Sequence, residues 1–339
     1  MVKETECPMD EQAGAGEQIN DSVQAGENSQ PCAGERLIPD TSVSMAGFDL
    51  ENPIMPASGV FGYGMEYADL YDINMLGAIV TKSVTAEPRY GNELPRIAEC
   101  DSGMLNSIGL QNPGIDSVVS EELPELRKVY KGPIIVNISG FSVNEYAEVA
   151  KRIDELDYVT AIEANISCPN VSEGGSAFGA DPAKAAEITA AVKKATSKPV
   201  FMKLTPNVTD IRVVAKACED AGADGISMIN NFKAMRIDVR TRRTITHEKY
   251  AGLSGPAIKP IALRMVNEVY HAVDIPIIGI GGISDVDDVI EMIMAGASAV
   301  QIGSANLADP WACQRIIEQL RHRMLELDIF SYDEIRGIV

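Results

Sequence analysis

The sequence is poor in histidine, in paired cysteines and in basic charge, and each shortage argues against a class of protein. It has 3 histidines, whose spacing forms no metal-ligand cluster. Its 6 cysteines are scattered without a C-x-x-C pair, which argues against a disulfide framework, an all-cysteine metal site and an iron–sulfur cluster. The formal net charge of −20 argues against nucleic acid or an anionic membrane as partner, since both require basic surfaces.

Long apolar runs and a leader pattern are also missing. No apolar run reaches the ~20 residues that a membrane span needs, and the first residues lack the basic-then-apolar order of a signal peptide. We therefore expect a soluble cytoplasmic protein. Hydrophobic residues make up 45% of the 339 residues, which is enough for a large core. A chain of this length suits one α/β barrel as well as two smaller domains.

The first 40 residues differ in composition from the rest. They are rich in Gly, Gln, Asn, Ser and Glu, and nine acidic residues against two basic ones give them a net charge of −7. So little apolar surface cannot offset the entropy lost on ordering. We predict a disordered acidic extension over 1–40 and a single folded domain over 41–339.

Short apolar runs then alternate with amphipathic stretches. Apolar runs without alternation suit strands buried on both faces, so eight β–α units predict an α/β fold, a (β/α)8 TIM barrel. A doubly wound open sheet is the alternative, but the G-x-G-x-x-G turn it would want after the first strand is missing. Two long excursions, 83–114 and 231–254, are predicted as functional loops at the C-terminal face. The predicted strands are 52–57, 77–82, 133–138, 158–166, 199–204, 225–229, 276–280 and 299–302, and the predicted helices are 64–72, 115–130, 143–155, 182–196, 210–221, 257–273, 285–295 and 310–325.

Polar residues or glycines end all eight strand-like runs. In a barrel the carboxyl ends of the strands meet at one mouth, where such proteins carry their sites. Two lysines and several asparagines projecting into one mouth are hard to explain as core. The endings, in chain order, are Ser58-Gly59, Lys82-Ser83, Asn137, Asn165 with Cys168, Lys203, Asn230, Gly281-Gly282 and Gly303-Ser304.

The last two endings are suited to phosphate. Gly281, Gly282 and Gly303 lack a Cβ, so backbone N–H groups can approach an anion, and a predicted helix follows each. Barrels often bind phosphate after strands seven and eight. Amides suit a neutral heterocycle with both N–H and C=O groups, because each offers a donor and an acceptor in one plane. These features predict a phosphate-bearing cofactor in the mouth.

One cysteine, Cys168, lies where a strand ends and a loop rich in small residues begins. Pro169 keeps it from helical geometry, and the amides of Asn165 and Asn170 flank the thiol. A lone cysteine is more often a buried hydrophobe. Beside a polar mouth, a thiolate that abstracts a proton or attacks a substrate is the stronger interpretation. The following segment, 172–179, is predicted to act as a lid.

Six short motifs of this sequence are TKS at 81–83, NSIGLQN at 106–112, NISCPNV at 165–171, GLSG at 252–255, GIGGI at 279–283 and QIG at 301–303. Jointly they resemble the class 1 dihydroorotate dehydrogenases, flavin enzymes of pyrimidine synthesis. The similarity runs from about residue 43 to the C-terminal helix. The stretch EGGSAFG at 173–179 is most similar to the catalytic subunit of the NAD-linked subclass 1B.

This resemblance implies FMN in the mouth of the barrel, with dihydroorotate or orotate lying over it. Cys168 matches the general base of class 1. Asn231 and Ser304 stand where the family commonly has Thr, and we expect modest effects on affinity. Residues at flavin-contacting positions are Ser58, Lys82, Ser83, Asn137, Asn165, Lys203, Ile229, Gly255, Gly281, Gly282, Gly303 and Ser304. Residues at substrate-binding positions are Lys82, Asn106, Ser107, Ile108, Gly109, Leu110, Asn165, Asn230 and Asn231.

The resemblance also implies a reaction and a partner. Dihydroorotate would be oxidised to orotate in de novo UMP biosynthesis, with hydride transfer to FMN. In subclass 1B a separate subunit with FAD and a [2Fe-2S] cluster carries electrons to NAD+ in a heterotetramer of two plus two, so we expect that partner and a homodimer of this chain. The alternatives are a fumarate-linked enzyme of subclass 1A, a dihydropyrimidine dehydrogenase-like enzyme, and a phosphate- or nucleotide-binding barrel without catalytic activity.

Overall fold

An eight-stranded parallel sheet forms the centre of the protein in the computed structural model, which describes residues 38–167 and 178–339. Its strands are buried on both faces, as expected from their continuous apolar sequences. The strands of this sheet and of three smaller sheets are, in chain order, β1 (Val43–Met45), β2 (Phe48–Leu50), β3 (Ile54–Pro56), β4 (Ile79–Val80), β5 (Ile97–Cys100), β6 (Gly103–Asn106), β7 (Ile134–Ile138), β8 (Ala161–Asn165), β9 (Val200–Lys203), β10 (Gly225–Met228), β11 (Phe232–Ala234), β12 (Ile237–Asp238), β13 (Arg243–Thr244), β14 (Ala251–Ser254), β15 (Ile277–Ile280) and β16 (Ala299–Ile302).

The strand order makes this sheet a nearly closed barrel. Neighbours run β3-β16-β15-β10-β9-β8-β7-β4, and every adjacent pair is parallel. The two edge strands meet through a hydrogen bond of 2.9 Å from the N–H of Gly77 to the carbonyl of Ile54. The (β/α)8 prediction is confirmed, and each barrel strand lies within a predicted run.

Helices follow the barrel strands and cover the outside of the sheet. In four of them, a Ser or Asp side chain caps the start of the helix by accepting a hydrogen bond from a backbone N–H of the first turn. These four are Val143–Asp154, Pro182–Ala195, Ile211–Asp220 and Val286–Met294. The helix predicted over 64–72 is wrong in length, since one turn forms there. The short helix Ser304–Ala308 is not among the predicted helices. The helices are α1 (Met65–Ala68), α2 (Ile115–Ser117), α3 (Leu123–Val129), α4 (Val143–Asp154), α5 (Pro182–Ala195), α6 (Ile211–Asp220), α7 (Lys259–Tyr270), α8 (Val286–Met294), α9 (Ser304–Ala308) and α10 (Ala312–Glu326).

The two excursions are not the simple loops that the sequence predicts. They pair with each other as a four-stranded antiparallel sheet in the order β11-β14-β6-β5, which we call the mouth sheet. Both excursions leave from carboxyl ends of barrel strands, β4 and β10. The mouth sheet therefore stands at the C-terminal end of the barrel. The sequence does not reveal this sheet, because its strands pair with partners far away along the chain. In addition, β6 and β14 contain Gly, Ser and Asn, which are uncommon in strands.

The predicted disordered extension, 1–40, lies outside the described residues except for its last three, and it stays a prediction. Across residues 38–167 and 178–339, none of the helices has both the length and the apolar character needed to cross a membrane.

Candidate active site

The structure gathers the polar strand ends at one end of the barrel. Asn165 and Lys203 are the last residues of β8 and β9 and are paired in register. Asn137 lies in β7, and Asn230 follows β10 closely. Cys168 and residues 169–177, which include most of the predicted lid, lie outside the described residues, so the position of the thiol relative to this mouth is an expectation.

A carboxylate that sequence reasoning missed lies at the centre of the mouth's floor. Glu163, in the middle of β8, is completely buried. Its Oε1 accepts hydrogen bonds from Nζ of Lys203 at 3.1 Å and from Nδ2 of Asn137 at 2.6 Å. Its Oε2 accepts from Nε2 of Gln301 at 2.5 Å. We call Glu163, Lys203, Asn137 and Gln301 the floor network.

The floor network keeps Glu163 ionised. Burial alone would raise the pKa of its carboxyl, because the charged form loses its hydration. The ammonium of Lys203 and the hydrogen bonds from Gln301 and Asn137 outweigh that effect and hold the pKa below its usual value. Side chains alternate between the two faces of a strand, so Glu163 lies on the same face of β8 as Asn165. This two-residue spacing is the feature of the sequence from which Glu163 could have been predicted as a site residue.

Two polar groups of the floor network remain open to a ligand. Oδ1 of Asn137 is buried and has no hydrogen-bond partner in the ranges 38–167 and 178–339. Lys203 has three N–H groups, of which Glu163 and Oε1 of Gln301, the latter at 3.2 Å, take two. A buried acceptor without a partner is costly, so a bound donor is expected there.

The side chains of Asn165 and Asn230 hold each other in one orientation. Nδ2 of Asn230 donates to Oδ1 of Asn165 at 3.2 Å, and the N–H of Ser167 donates to the same oxygen at 3.2 Å. Asn230 is itself held, since its Oδ1 accepts the N–H of Asn231 at 2.8 Å. With its oxygen occupied, Asn165 offers Nδ2 as a donor.

Lys82 is a partly buried cation that lacks an acidic partner in the part of the chain that the structure describes. Burial lowers the pKa of its ammonium, and the nearby charge of Arg96 lowers it further. A Cβ added at Gly59 would lie 3.6 Å from Nζ of Lys82, in ordinary contact, so the turn at Gly59 lies directly beside the ammonium. An anion is therefore the ligand that this position favours.

The segment 106–110 leaves the mouth sheet with its backbone tightly fixed. Nδ2 of Asn106 lies 3.5 Å from the carbonyl of Gly252 in β14. The N–H of Ser107 donates to Arg96 at 2.8 Å, and the carbonyl of Ile108 accepts from Asn92 at 3.0 Å. Gly109 and Leu110 follow with positive φ of 77° and 58°. The hydroxyl of Ser107 is buried with no partner in the described ranges, which again leaves a place for a ligand.

The two glycine turns predicted to bind phosphate differ from each other. A Cβ on Gly282 would lie 2.7 Å from Cβ of Lys259, so packing against α7 already requires glycine there. The start of α8 is capped by its own Asp285 in a capping box. Among residues 38–167 and 178–339, no atom lies closer than 3.8 Å to a Cβ added at Gly303, and no side chain caps the start of α9. The turn after β16 is therefore the more open of the two.

The remaining predicted cofactor residues surround the same mouth. Ser83 is buried and donates to the hydroxyl of Ser139 at 2.8 Å. Ile229 follows β10 and is buried. Gly255, with φ of 111°, lies against Gly103 where the two excursions meet. Ser58 and Ser304 follow β3 and Gly303 and are half-buried.

These residues fit FMN. The open oxygen of Asn137 and the free N–H of Lys203 match an N–H group and an electron-rich edge of a flavin's pyrimidine ring. The uncapped turn at Gly303 suits the phosphate. A heterocycle and its phosphate thus have complementary groups at two places in the mouth.

Fold and mouth together define a (β/α)8 barrel whose C-terminal end gathers two lysines, several amides and an uncapped glycine turn. The chain belongs to the dihydroorotate dehydrogenase family, whose profile, described as "Dihydroorotate dehydrogenase", matches residues 41–324. Among its curated relatives is the "Dihydroorotate dehydrogenase B (NAD(+)), catalytic subunit" of Anoxybacillus flavithermus, 56% identical over 296 residues, which cover 87% of this chain and 95% of the relative. Proteins of the same name from Geobacillus kaustophilus, 55% identical over 296 residues, and Enterococcus faecalis, 53% identical over 294 residues, each match 87% of this chain and 94% of their own length.

Proposed function

We propose that this protein oxidises dihydroorotate to orotate, a step of pyrimidine biosynthesis, as the FMN-binding subunit of an NAD+-linked enzyme. Family membership over residues 41–324 supports the reaction. The structural observation that carries the proposal is Lys82, a partly buried ammonium with no acidic partner among residues 38–167 and 178–339. Dihydroorotate carries a carboxylate, which would supply the missing negative charge.

The substrate lies against donors from three parts of the mouth. Lys82 binds the carboxylate, and Nδ2 of Asn165 donates to a ring carbonyl oxygen, since the oxygen of Asn165 is already occupied. The segment 106–110 lines the same space, with the unpartnered hydroxyl of Ser107 as a further polar contact. Asn230 acts by fixing Asn165, and Asn231 by fixing Asn230.

FMN, when bound, supplies the hydride acceptor. Asn137 and Lys203 hold its pyrimidine ring, and the turn at Gly303 and Ser304 holds its phosphate. A cationic group beside the ring favours the negative charge that reduction places there. The other residues of the proposed cofactor site are Ser58, Lys82, Ser83, Asn165, Ile229, Gly255, Gly281 and Gly282.

Cys168 is the proposed general base, which removes the proton from C5 of dihydroorotate while the hydride leaves C6. This role is carried over from the family motif at 165–171. A free thiol has a pKa of about 8.5, so the thiolate is a minority at neutral pH unless its surroundings stabilise it.

Electrons then leave through a partner subunit. The relatives are named catalytic subunits of the NAD(+)-linked B enzyme, at 53–56% identity, and this favours the NAD+-linked form over a fumarate-linked one. The cysteine spacing of this chain offers no iron–sulfur ligand pattern. We propose an FAD- and [2Fe-2S]-containing partner in a heterotetramer of two plus two, built on a homodimer of this chain.

The visible spectrum before and after anaerobic dihydroorotate tests the function. We expect a flavin spectrum that bleaches. A flavin that stays oxidised with dihydroorotate, and is reduced by a dihydropyrimidine lacking the carboxylate, would contradict the proposal. A colourless protein that cannot be reconstituted with FMN would instead support a plain phosphate-binding barrel.

A further inference from the structure

Glu163 is a fully buried carboxylate that takes no part in the steps proposed above. Its ion pair with Lys203 joins side chains that are 0% and 6% exposed. Buried ion pairs lose so much hydration that an apolar replacement of both partners is often neutral or stabilising. Stability alone is therefore a weak reason for a charged pair in the floor of a barrel.

The hydrogen-bond directions around Glu163 give a stronger reason. An ionised carboxylate only accepts, so the amides of Asn137 and Gln301 must both turn their NH2 groups toward it. Their oxygens consequently face away from Glu163. The oxygen of Gln301 accepts from Lys203, and the oxygen of Asn137 is left as a buried acceptor without a partner in the described ranges.

Glu163 fixes Lys203 in the same way. It provides the buried ammonium with a counter-charge and, together with Gln301, uses two of its three N–H groups. The third N–H and the open oxygen of Asn137 are then presented as one cationic donor and one acceptor. Both orientations depend on a single carboxylate.

We propose that Glu163 is a positioning residue that holds Lys203 and Asn137 as a matched donor–acceptor pair for the cofactor's heterocycle. This inference rests on the proposed function in one respect, that the heterocycle is FMN. Glu163 does not touch the cofactor. It acts through the charge of Lys203 and the orientation of the Asn137 amide.

Three variants test this role: Glu163→Gln, Lys203→Met, and the double variant with both changes. Glutamine can donate as well as accept, so it lets the Asn137 amide turn and leaves Lys203 without a counter-charge. For Glu163→Gln we expect a fall in Tm of about 5 °C and an FMN Kd at least tenfold higher. Each full-length protein is purified with its flavin. The Kd is read from the flavin fluorescence released on dilution, and Tm is measured by circular dichroism after dialysis against flavin-free buffer.

The double variant separates positioning from structural support. Removing the uncompensated ammonium should restore most of the lost Tm, whereas the FMN Kd should stay as high as in Lys203→Met. A Kd that recovers together with Tm would overturn the proposal, because the flavin would then have been lost only through instability. So would Glu163→Gln with the wild-type Kd. Glu187→Gln, the same change on the exposed face of α5, is the control and should alter neither quantity.

Failure of the proposed function would look different. Wild-type protein that binds FMN but is not bleached by dihydroorotate would contradict the substrate assignment. The Glu163 comparison would stand, because the Kd and Tm measurements contain no substrate.

Discussion

Asn230 donates a hydrogen bond to Asn165 across 3.2 Å, joining the ends of β10 and β8, which are separated in the barrel by β9. The bond fixes the Asn165 amide with its oxygen turned inward to Asn230 and Ser167 and its nitrogen free for a ligand. One side chain of the mouth thus determines whether another is a donor or an acceptor.

Asn230→Asp should therefore weaken dihydroorotate binding through Asn165. An ionised carboxylate cannot donate, so Asn165 would turn its nitrogen toward the new acid and its oxygen toward the substrate. Loss of one substrate hydrogen bond corresponds to about 1.4 kcal/mol, or about a tenfold higher KM for dihydroorotate. Steady-state kinetics with an artificial electron acceptor, on protein saturated with FMN, measure this.

The matched control is Asn267→Asp on α7, which also removes an amide-to-carbonyl hydrogen bond, the one of 3.0 Å to Val339. It lies away from the mouth and should leave KM as in the wild type. An unchanged KM in Asn230→Asp would show that the orientation of Asn165 does not matter for substrate.

Some residues of the mouth can be predicted from the sequence and others cannot. Asn165, Asn230, Lys203 and Asn137 were predictable, because a polar residue that ends an apolar run must sit at the carboxyl end of a barrel strand. Glu163 was not singled out, because it lies inside a run read as buried strand. Only the folded barrel brings its carboxylate to Gln301, which is 138 residues away along the chain.

The mouth sheet was missed for a related reason. The sequence marked both excursions as long and functional, but β6 pairs with β14 across almost 150 residues, with Asn106 opposite Gly252. Such pairing depends on backbone groups meeting in space, and the local pattern of Gly, Ser and Asn does not encode it.

Gly255→Ala should disturb the junction of the two excursions. A Cβ there would lie 2.5 Å from Cα of Gly103, on a residue with φ of 111°. Gly222→Ala provides the matched control, because Gly222 has φ of 95° but, in the described part of the chain, no atom within 4 Å of an added Cβ. We expect a loss of about 1–2 kcal/mol in the free energy of unfolding for Gly222→Ala, from backbone strain alone. Gly255→Ala should lose about 3 kcal/mol or more, since the clash adds to the strain.

Chemical denaturation measures both variants, and the KM for dihydroorotate distinguishes them further. Only Gly255→Ala should raise KM, since the mouth sheet carries Asn106. If both variants lost the same free energy of unfolding and kept the wild-type KM, the junction would accommodate the added Cβ without a change at the mouth.

Lys82 should make dihydroorotate binding sensitive to alkaline pH. Burial and Arg96 lower the pKa of its ammonium, so the charge is lost at a lower pH than for an ordinary lysine. Below that pKa the ammonium attracts the substrate carboxylate, and as pH rises through it the attraction disappears and KM increases. Lys82→Met should bind weakly at every pH, without this rise. Measuring KM from about pH 7 to about pH 10 in both proteins checks the prediction. If KM depended on pH in the same way in both proteins, Lys82 would not bind the substrate carboxylate.

Cys168→Ser should stay yellow but lose most of its turnover at neutral pH. A hydroxyl has a far higher pKa than a thiol, so almost none of it is in the base form. In the wild type, kcat should rise with pH until the thiol is ionised. Stopped-flow bleaching of the flavin by dihydroorotate measures the half-reaction directly. A serine variant reduced at the wild-type rate would assign the base to another group.

Two buried cysteines are expected to be inert, and they serve as internal references for the reactivity of Cys168. Burial raises the pKa of Cys218 to about 11 and that of Cys313 to about 12, despite hydrogen bonds from Thr189 and Asn306. At pH 8 their thiolate fractions are roughly one in a thousand or less, so iodoacetamide should spare them in the native protein and label them after denaturation. Cys168 should react in the native protein and be protected by orotate, as peptide mass spectrometry can show. Labelling of Cys168 that orotate does not slow would place its thiol outside the substrate site.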